Sequence, residues 1–242
     1  MLFRSLSPIT TTSEVVNAAS LGGAGTIAPG EVVSIFGVGL GPVPGISAPT
    51  GAIPTNLAGS SVLVNGVAVP IFYASAYQIE AQIPFGLTPG GTATVQVTSS
   101  SGSGPVLTLN TVDAIPGVYT TGFGGVGAVN SVNQDGSANS VLHPAPKGSY
   151  VTLWANGLGA VNPALVAGAV PPVSQLSLVA GSVTASIGGL PATVQFAGAA
   201  PGYPGLYQIN LVVPSTVVSG TRALSLYVNG EPSQAGATIQ IQ

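Results

Sequence analysis

The residues that could catalyse a reaction are few and scattered in this chain of 242 residues. His143 is its only histidine, and no Gly-x-Ser-x-Gly turn presents the nucleophile that a hydrolytic triad would need. The absence of cysteine removes thiolate nucleophiles, disulfides and Cys-bound metals. The acids Glu31, Glu80, Asp113 and Glu231 show no spacing that would face two carboxyl groups across a substrate. We therefore predict no catalytic residues and no enzymatic activity.

The segment from Asn133 to Asn139 presents oxygen-bearing side chains at alternate positions, as calcium loops do. Gly136 falls at the fourth position rather than the sixth, however, and no glutamate follows where a bidentate ligand is needed. The favoured interpretation is a β-turn at Asp135–Gly136, between one strand near Val129 and another near Val141. Calcium binding is the alternative. We predict no bound metal and no cofactor.

Three aromatic residues are candidates for contact with a partner or a glycan: Tyr150, Trp154 and Tyr203. Strict alternation directs Val151 and Leu153 toward a core and places Tyr150 and Trp154 on the opposite face. Trp154 is the only tryptophan and the best platform for a sugar ring, although packing within or between domains is its favoured role. Tyr203 lies in a Pro-Gly-Tyr-Pro-Gly loop, where anchoring of the loop is favoured over binding.

Charge is scarce, and this excludes several classes of partner. Charged residues make up 4% of the chain, against roughly 25% in typical soluble domains. Arg4, Lys147 and Arg222 are the only basic residues, which excludes nucleic acid and a polybasic membrane contact. No run approaches roughly 18 apolar residues free of Gly, Pro or polar breaks, so we predict no membrane insertion. Neutral polar surfaces of this kind occur on secreted and cell-surface β proteins.

Two pairs of near-copies reveal an internal repeat that must position these side chains. Gly30–Phe36 matches Gly148–Trp154 at an offset of 118 residues, so that Trp154 corresponds to Phe36. Tyr77–Pro84 matches Tyr207–Pro214 at an offset of 130. A repeat of roughly a hundred residues indicates a duplicated domain rather than a solenoid unit. We place the change in offset in the loop from Asn162 to Gly181.

Short strands with alternating apolar residues dominate both copies, and the predicted helix content is near zero. Ala93–Thr98, Leu224–Val228 and Thr238–Ile241 alternate cleanly. In Gln78–Ile83 every second residue is apolar, which predicts a half-buried antiparallel strand with Gln78, Glu80 and Gln82 facing outward. Asn65-Gly66, and the comparable Gly188-Gly189 and Asn229-Gly230, predict tight hairpin turns.

The predicted fold class is therefore all-β, with two tandem immunoglobulin-like β-sandwich domains. We predict the first domain over residues 15–116 and the second over residues 117–242, because Ala114-Ile115-Pro116-Gly117 interrupts the strand pattern. The linker is short and contains apolar residues. We expect the two sandwiches to pack end to end with restricted motion.

Several segments also carry a resemblance to known families. Val33–Gly41 and its second copy run from a strand into a Gly-rich turn, and in this they resemble the opening of IPT/TIG-type immunoglobulin-like domains. Val15–Ser20, Asn133–Ser137, Thr152–Gly159 and above all Pro201–Asn210 resemble the Solibacter-type C-terminal domain family, which is abundant in Acidobacteria. An aromatic residue often follows the first of these segments in the family, whereas this chain has Leu21.

The resemblance spans about residues 15–242 and implies an immunoglobulin-like fold at the end of a large secreted protein. The family has no established biochemical activity and no assigned site residues. Met1–Ser5 is the translation of a common sequencing adapter, so we expect a truncated reading frame whose authentic sequence starts near Leu6. The lack of a visible signal peptide then says nothing about location.

The leading hypothesis is a non-enzymatic extracellular or cell-surface module that serves adhesion, spacing or assembly. One alternative is a carbohydrate-binding module that uses Tyr150, Trp154 or Tyr203. The other is a filament subunit that assembles by strand addition. The expected partners are other protein domains or cell-surface polysaccharide.

Overall fold

The computed structural model describes residues 7–242, so the Met1–Ser5 segment and the predicted start near Leu6 lie outside the described residues. The fold is all-β, as predicted, and the described residues contain two single 3-10 turns, Thr12–Glu14 and Phe123–Gly125, and no α-helix. No helix among them is long and apolar enough to cross a membrane.

The first half of the chain forms ten strands. They are β1 (Val15–Asn17), β2 (Thr26–Ile27), β3 (Val32–Phe36), β4 (Ile46–Ser47), β5 (Ser61–Val64), β6 (Val67–Val69), β7 (Ile71–Ala74), β8 (Gln78–Gln82), β9 (Thr92–Ser99) and β10 (Gly102–Thr111).

The second half forms twelve strands. They are β11 (Gly117–Val118), β12 (Gly127–Ala128), β13 (Ser131–Asn133), β14 (Tyr150–Asn156), β15 (Val161–Asn162), β16 (Leu178–Val179), β17 (Val183–Ile187), β18 (Leu190–Ala199), β19 (Tyr207–Val212), β20 (Gly220–Val228), β21 (Glu231–Pro232) and β22 (Ala237–Ile241).

These strands build two immunoglobulin-like sandwiches. The first pairs the sheet β1-β3-β8-β7-β4, here called the β3–β8 sheet, with the sheet β2-β10-β9-β5-β6. In the second, the order β11-β14-β19-β18-β17-β20-β22-β12 is continuous, because the long strand β18 pairs with β17 at its start and with β19 at its end. The part formed by β11, β13, β14, β19 and the end of β18 is called the β14–β19 sheet.

The pairing registers repeat between the halves. Phe36 pairs with Gln78, and Trp154 pairs with Gln208. β8 and β19 both face a partner strand with a β-bulge, between Ile71 and Tyr73 in β7 and between Val194 and Phe196 in β18. Both halves also pair an early strand in parallel with the last one, β2 with β10 and β12 with β22. The duplication read from the sequence therefore extends to strand register.

The three predicted hairpin turns are confirmed. Asn65 and Gly66 join β5 to β6 with φ of 49° and 78°, the left-handed pair that a type I′ turn requires. Gly188-Gly189 joins β17 to β18, and Asn229-Gly230 joins β20 to β21, with positive φ at all four residues.

Each sandwich encloses its own core because inward side chains alternate with outward ones along the strands. In β9, Ala93, Val95 and Val97 are buried, and in β14, Val151, Leu153 and Ala155 have no exposed surface. These residues fall into two separate clusters, one in each half. Ala114 already packs in the second cluster, just ahead of the domain boundary after residue 116, which stays a prediction.

Candidate functional site

The residues with catalytic potential do not assemble. His143 lies in an exposed turn whose backbone exchanges two hydrogen bonds with Ser140. Across residues 7–242, no three His, Cys, Asp or Glu side chains lie close enough together to hold a metal ion.

The Asn133–Asn139 segment contains a turn in which the Gly136 N–H donates to the Asn133 carbonyl at 2.9 Å. The carboxylate of Asp135 accepts bonds from the backbone N–H of Ser137 (2.9 Å) and from its hydroxyl (2.6 Å). These two bonds hold the pKa of Asp135 below its usual value. The predicted strand near Val141 is absent; Val141 is exposed, and a single bridge between Val132 and Ala138 closes the turn instead.

The two sandwiches meet across buried polar groups, here called the junction: Asn17, Glu31, Val32, Ile115 and Asn156. The amide of Asn156 accepts a bond from the N–H of Val32 (2.8 Å) and donates one to its carbonyl (2.7 Å). A side chain thus pairs with the backbone at the start of β3 as a neighbouring strand would. Asn156 has no exposed surface, so this pairing is shielded from water.

Glu31 is the second feature of the junction. Its carboxyl oxygens accept bonds from the Asn17 amide (2.9 Å) and from the N–H of Ala28 (2.9 Å). Asn17 also donates to the carbonyl of Ile115 at 2.9 Å. Complete burial raises the pKa of Glu31 to about 8, and the two hydrogen bonds oppose that rise. The carboxyl group is therefore held largely protonated at neutral pH.

Gln82 extends the contact between the sandwiches. Its Oε1 accepts a bond from the N–H of Gly168 (2.7 Å), and its Nε2 donates to the carbonyl of Gly30 (3.1 Å). The predicted orientation of β8 is correct in that Gln82 points away from the core, yet the residue is buried. Nearby, Tyr207 packs in the core of the second half and donates its hydroxyl to Gly159 at 2.5 Å, and this hydroxyl also lies against Gly30 of the first half.

Beside the junction, two hollows of about 420 and 400 Å³ open over the outward face of the β3–β8 sheet. Both are lined by Glu80 and Tyr119, so they adjoin each other at these two residues; together they are here called the interdomain cleft. Phe72 and the Tyr203 loop line one end, and Phe36 lines the other. Its floor is a sheet of the first sandwich and its roof belongs to the second.

Polar groups occupy the centre of the cleft. Glu80 accepts a bond from the Gln78 amide at 3.2 Å, and Ser34 stands directly opposite Glu80 in the strand register. Burial raises the pKa of Glu80. Burial also raises the pKa of Tyr119 well above its usual value, and the nearby carboxyls of Glu80 and Glu31 add to this rise. Glu80 and Tyr119 both line the two hollows, so they lie together at the centre of the cleft.

A second aromatic surface lies on the outward face of the β14–β19 sheet. Trp154 is half-buried there, beside Gln208 across the strand pair. The Tyr119 N–H donates to the carbonyl of Trp154 (3.1 Å), which places the two residues side by side. The ring of Phe196 lies over Gly198 on the other side of Gln208. Two rings therefore flank one amide on a flat sheet.

The three aromatic candidates from the sequence do not share one site. Tyr203 is 63% exposed and lines the interdomain cleft. Trp154 lies on the β14–β19 sheet, and Tyr150, 37% exposed, lies on the same face at the start of β14, about 13 Å away along the strand.

Sequence reasoning passed over Glu80 and Tyr119 at the centre of the cleft. In the sequence, Glu80 is one of four acids without a facing carboxyl group, and the second copy carries Asn210 in its place. The matching pairs Gln78–Glu80 and Gln208–Asn210 were the available signal, since each glutamine donates to the acceptor two residues further on. Nothing local to Tyr119 marks it, because its role depends on how the two halves meet.

No protein-family model matches the chain, and no curated protein matches it. Solved structures show only distant likeness. The surface glycan-binding protein SGBP-B of a Bacteroides ovatus mixed-linkage glucan utilization locus, solved with a mixed-linkage heptasaccharide, is 11% identical with a TM-score of 0.34, over 97% of this chain and 45% of that one. The plexin A4 extracellular region is 13% identical with a TM-score of 0.32, over 98% of this chain and 18% of that one.

The BSP domain of a biofilm associated protein is 15% identical with a TM-score of 0.25, over 98% of this chain and 29% of that one. The chain spans less than half the length of each of these three structures. Likeness this weak does not set the arrangement of the two sandwiches or any role. The fold assignment rests on the strand pairing of the chain itself, which is that of two immunoglobulin-like sandwiches.

Proposed function

We propose that the chain is a non-enzymatic interaction module of a secreted or surface protein, and that it holds two immunoglobulin-like sandwiches in one fixed arrangement. The observation that carries this proposal is the pairing of the Asn156 amide with both backbone groups of Val32. Domains joined only by a flexible linker do not bury such pairs, because each buried polar group that loses its partner costs about 1–3 kcal/mol. Membership of the Solibacter-type family is part of the proposal.

The linker between the sandwiches is itself fixed by hydrogen bonds. The Val112 N–H donates to Ile27 in the first half (3.1 Å), and the Ile115 N–H donates to Gly157 in the second (2.8 Å). The side-chain amide of Asn17 donates a hydrogen bond to the Ile115 carbonyl. A spacer or adhesion module that presents surfaces at a set distance needs this kind of restraint.

NMR relaxation of the whole chain tests the fixed arrangement. We expect amides of both sandwiches to report one rotational correlation time, as a single rigid body does. The double variant Asn17→Ala with Asn156→Ala should separate the two correlation times while each sandwich stays folded. Two distinct correlation times in the wild-type chain would refute the proposal.

A second candidate function is binding of neutral polysaccharide. The observation that favours it is the set of outward aromatic rings beside amide groups, on the β14–β19 sheet and around the interdomain cleft. Sedimentation with insoluble cellulose, xylan, mannan and chitin tests it. Retention on at least one polymer is expected. If none of the four polymers retains the protein, polysaccharide binding is refuted, and the spacer role is unaffected.

A further inference from the structure

The interdomain cleft combines two kinds of lining that rarely occur together on a spacer. The aromatic rings of Phe72, Tyr119 and Tyr203 line the same space as the carboxyl group of Glu80. The Tyr203 loop is held in place, since the Tyr203 N–H donates to Ala200 (3.0 Å) and the Gly202 N–H donates to Pro171 (2.9 Å). The lining is therefore built by ordered backbone rather than by a loose loop.

Comparison of the two copies shows that the cleft holds unused hydrogen-bonding capacity. On the β14–β19 sheet, the Thr152 hydroxyl bonds to the Asn210 side chain at 3.0 Å. The equivalent residues in the first copy are Ser34 and Glu80, which face each other in register. Among residues 7–242, the structure gives no protein partner to the Ser34 hydroxyl, and Glu80 has a side-chain partner only in Gln78.

Tyr119 adds a third group of this kind. Among the described residues no hydrogen bond satisfies its hydroxyl, and no side-chain polar atom there is both fully buried and unpaired. The hydroxyl is thus left open to the cleft, next to Glu80. Ser34 is only 1% exposed, so Glu80 and Tyr119 are the two groups that a ligand can reach, and a ligand with hydroxyls at short spacing can bond to both.

The charge of the lining narrows the class of ligand. None of the described residues that line the cleft is Lys or Arg. An anionic ligand would meet Glu80 without a compensating cation, which disfavours phosphorylated, sulfated or uronic acid groups. A neutral sugar chain fits, because its hydroxyls can bond to the polar groups while its apolar ring faces stack on the aromatic side chains.

We propose that the interdomain cleft binds a short segment of a neutral oligosaccharide, with Tyr119 and Glu80 bonded to its hydroxyls and Tyr203 and Phe72 stacked on its rings. This proposal rests on the second candidate function, polysaccharide binding, and names its site. The site requires both sandwiches in their fixed arrangement, because neither contributes the whole lining.

Isothermal titration calorimetry of the whole chain with soluble cellohexaose, xylohexaose and mannohexaose tests the site. At least one of these probes should bind at up to millimolar concentration. Tyr203→Ala removes a stacking ring, and Tyr119→Phe removes only a hydroxyl; each should weaken binding by about fivefold or more. Tyr77→Ala is the matched control. The side chain of Tyr77 is 67% exposed, a fraction similar to that of Tyr203, but it does not line the cleft.

The outcomes separate the site from the function. Loss of affinity in Tyr203→Ala and Tyr119→Phe with unchanged melting temperature, while Tyr77→Ala binds normally, supports the cleft. Binding that survives both cleft variants but is lost in Trp154→Ala would overturn the cleft and keep polysaccharide binding on the β14–β19 sheet. If none of the three hexasaccharides binds, the cleft proposal fails, and the sedimentation experiment then decides polysaccharide binding independently.

Discussion

Single amides carry much of the contact between the sandwiches. Asn156 and Gln82 each present both an acceptor and a donor, and each bonds to backbone groups of other segments. A side-chain amide reproduces the donor and acceptor of a peptide group. Two sandwiches can therefore meet without leaving backbone polar groups unpaired and without a charged pair.

Replacing Asn156 should measure this contribution. In Asn156→Ala the N–H and carbonyl of Val32 lose their partner in a buried site, so unfolding in urea should show a loss of about 2–4 kcal/mol. Asn130→Ala is the control, because Asn130 is exposed, and it should change stability by less than about 0.5 kcal/mol. Equal effects of the two substitutions would contradict the role given to Asn156.

Glu31 makes the stability of the chain depend on pH in an unusual direction. Its pKa is about 8 in the folded state, against 4.5 for an ordinary glutamate. Between these values the folded state binds a proton that the unfolded state has released, so the free energy of unfolding falls as pH rises. The contribution is complete below pH 4.5 and is lost once pH passes about 8.

We expect urea unfolding across this pH window to show a decline of up to about 1.4 kcal/mol per pH unit. Glu31→Gln keeps an uncharged group of similar shape and should flatten the decline. The exposed Glu231 provides the control, and Glu231→Gln should keep the wild-type slope. A slope unchanged in Glu31→Gln would show that another group causes the dependence.

Among the elements, the turn after β14 is the most tightly constrained. Gly157 has φ of 69°, and a Cβ at this position would collide with the Ile115 carbonyl and lie 2.7 Å from the Asn17 amide. Gly136 has φ of 85° with nothing within 4 Å of its Cβ position. The two glycines share the left-handed conformation but differ in crowding.

This contrast gives a direct test by alanine substitution. Gly136→Ala should cost about 1 kcal/mol from backbone strain alone. Gly157→Ala should cost clearly more, about 2–4 kcal/mol, because it also displaces the linker. Thermal unfolding followed by circular dichroism measures both. Similar losses in the two variants would mean that the Ile115 linker moves aside freely.

Elements governed by local sequence were the ones that could be predicted. The Asn-Gly and Gly-Gly hairpins and the alternating strands depend on neighbouring residues, and the structure contains them. One difference between the copies is also local. Pro70 separates β6 from β7, because proline cannot donate to a ladder, whereas Thr193, which follows the matching hairpin at the same spacing, lets β18 continue across both sheets. The placing of the whole change in offset in the Asn162–Gly181 loop is therefore wrong, since part of it lies in the loop of residues 200–206 before β19.

At the scale of the whole molecule, the contacts between the two sandwiches could not be predicted from the sequence. The pattern of β8 placed Gln82 on the outward face, but it could not show that the loop of Gly168 covers it. The sequence likewise shows Glu31 and Glu80 only as scattered acids, because the groups that bury them come from distant parts of the chain. The cleft exists only once the two sandwiches are placed together, and no periodicity in one strand encodes that placement.

The parallel pairing of β2 with β10 and of β12 with β22 has a mechanical consequence. In each sandwich the second strand lies beside the strand by which the chain leaves, β2 beside β10 and β12 beside β22. Because the paired strands run in the same direction, tension on the chain ends slides one past the other and strains all their bonds at once, whereas a hairpin opens one bond at a time. By force spectroscopy, we expect rupture to need more force when the chain is pulled from its ends than when it is pulled across the β5–β6 hairpin. The chain would thus resist tension along its own length.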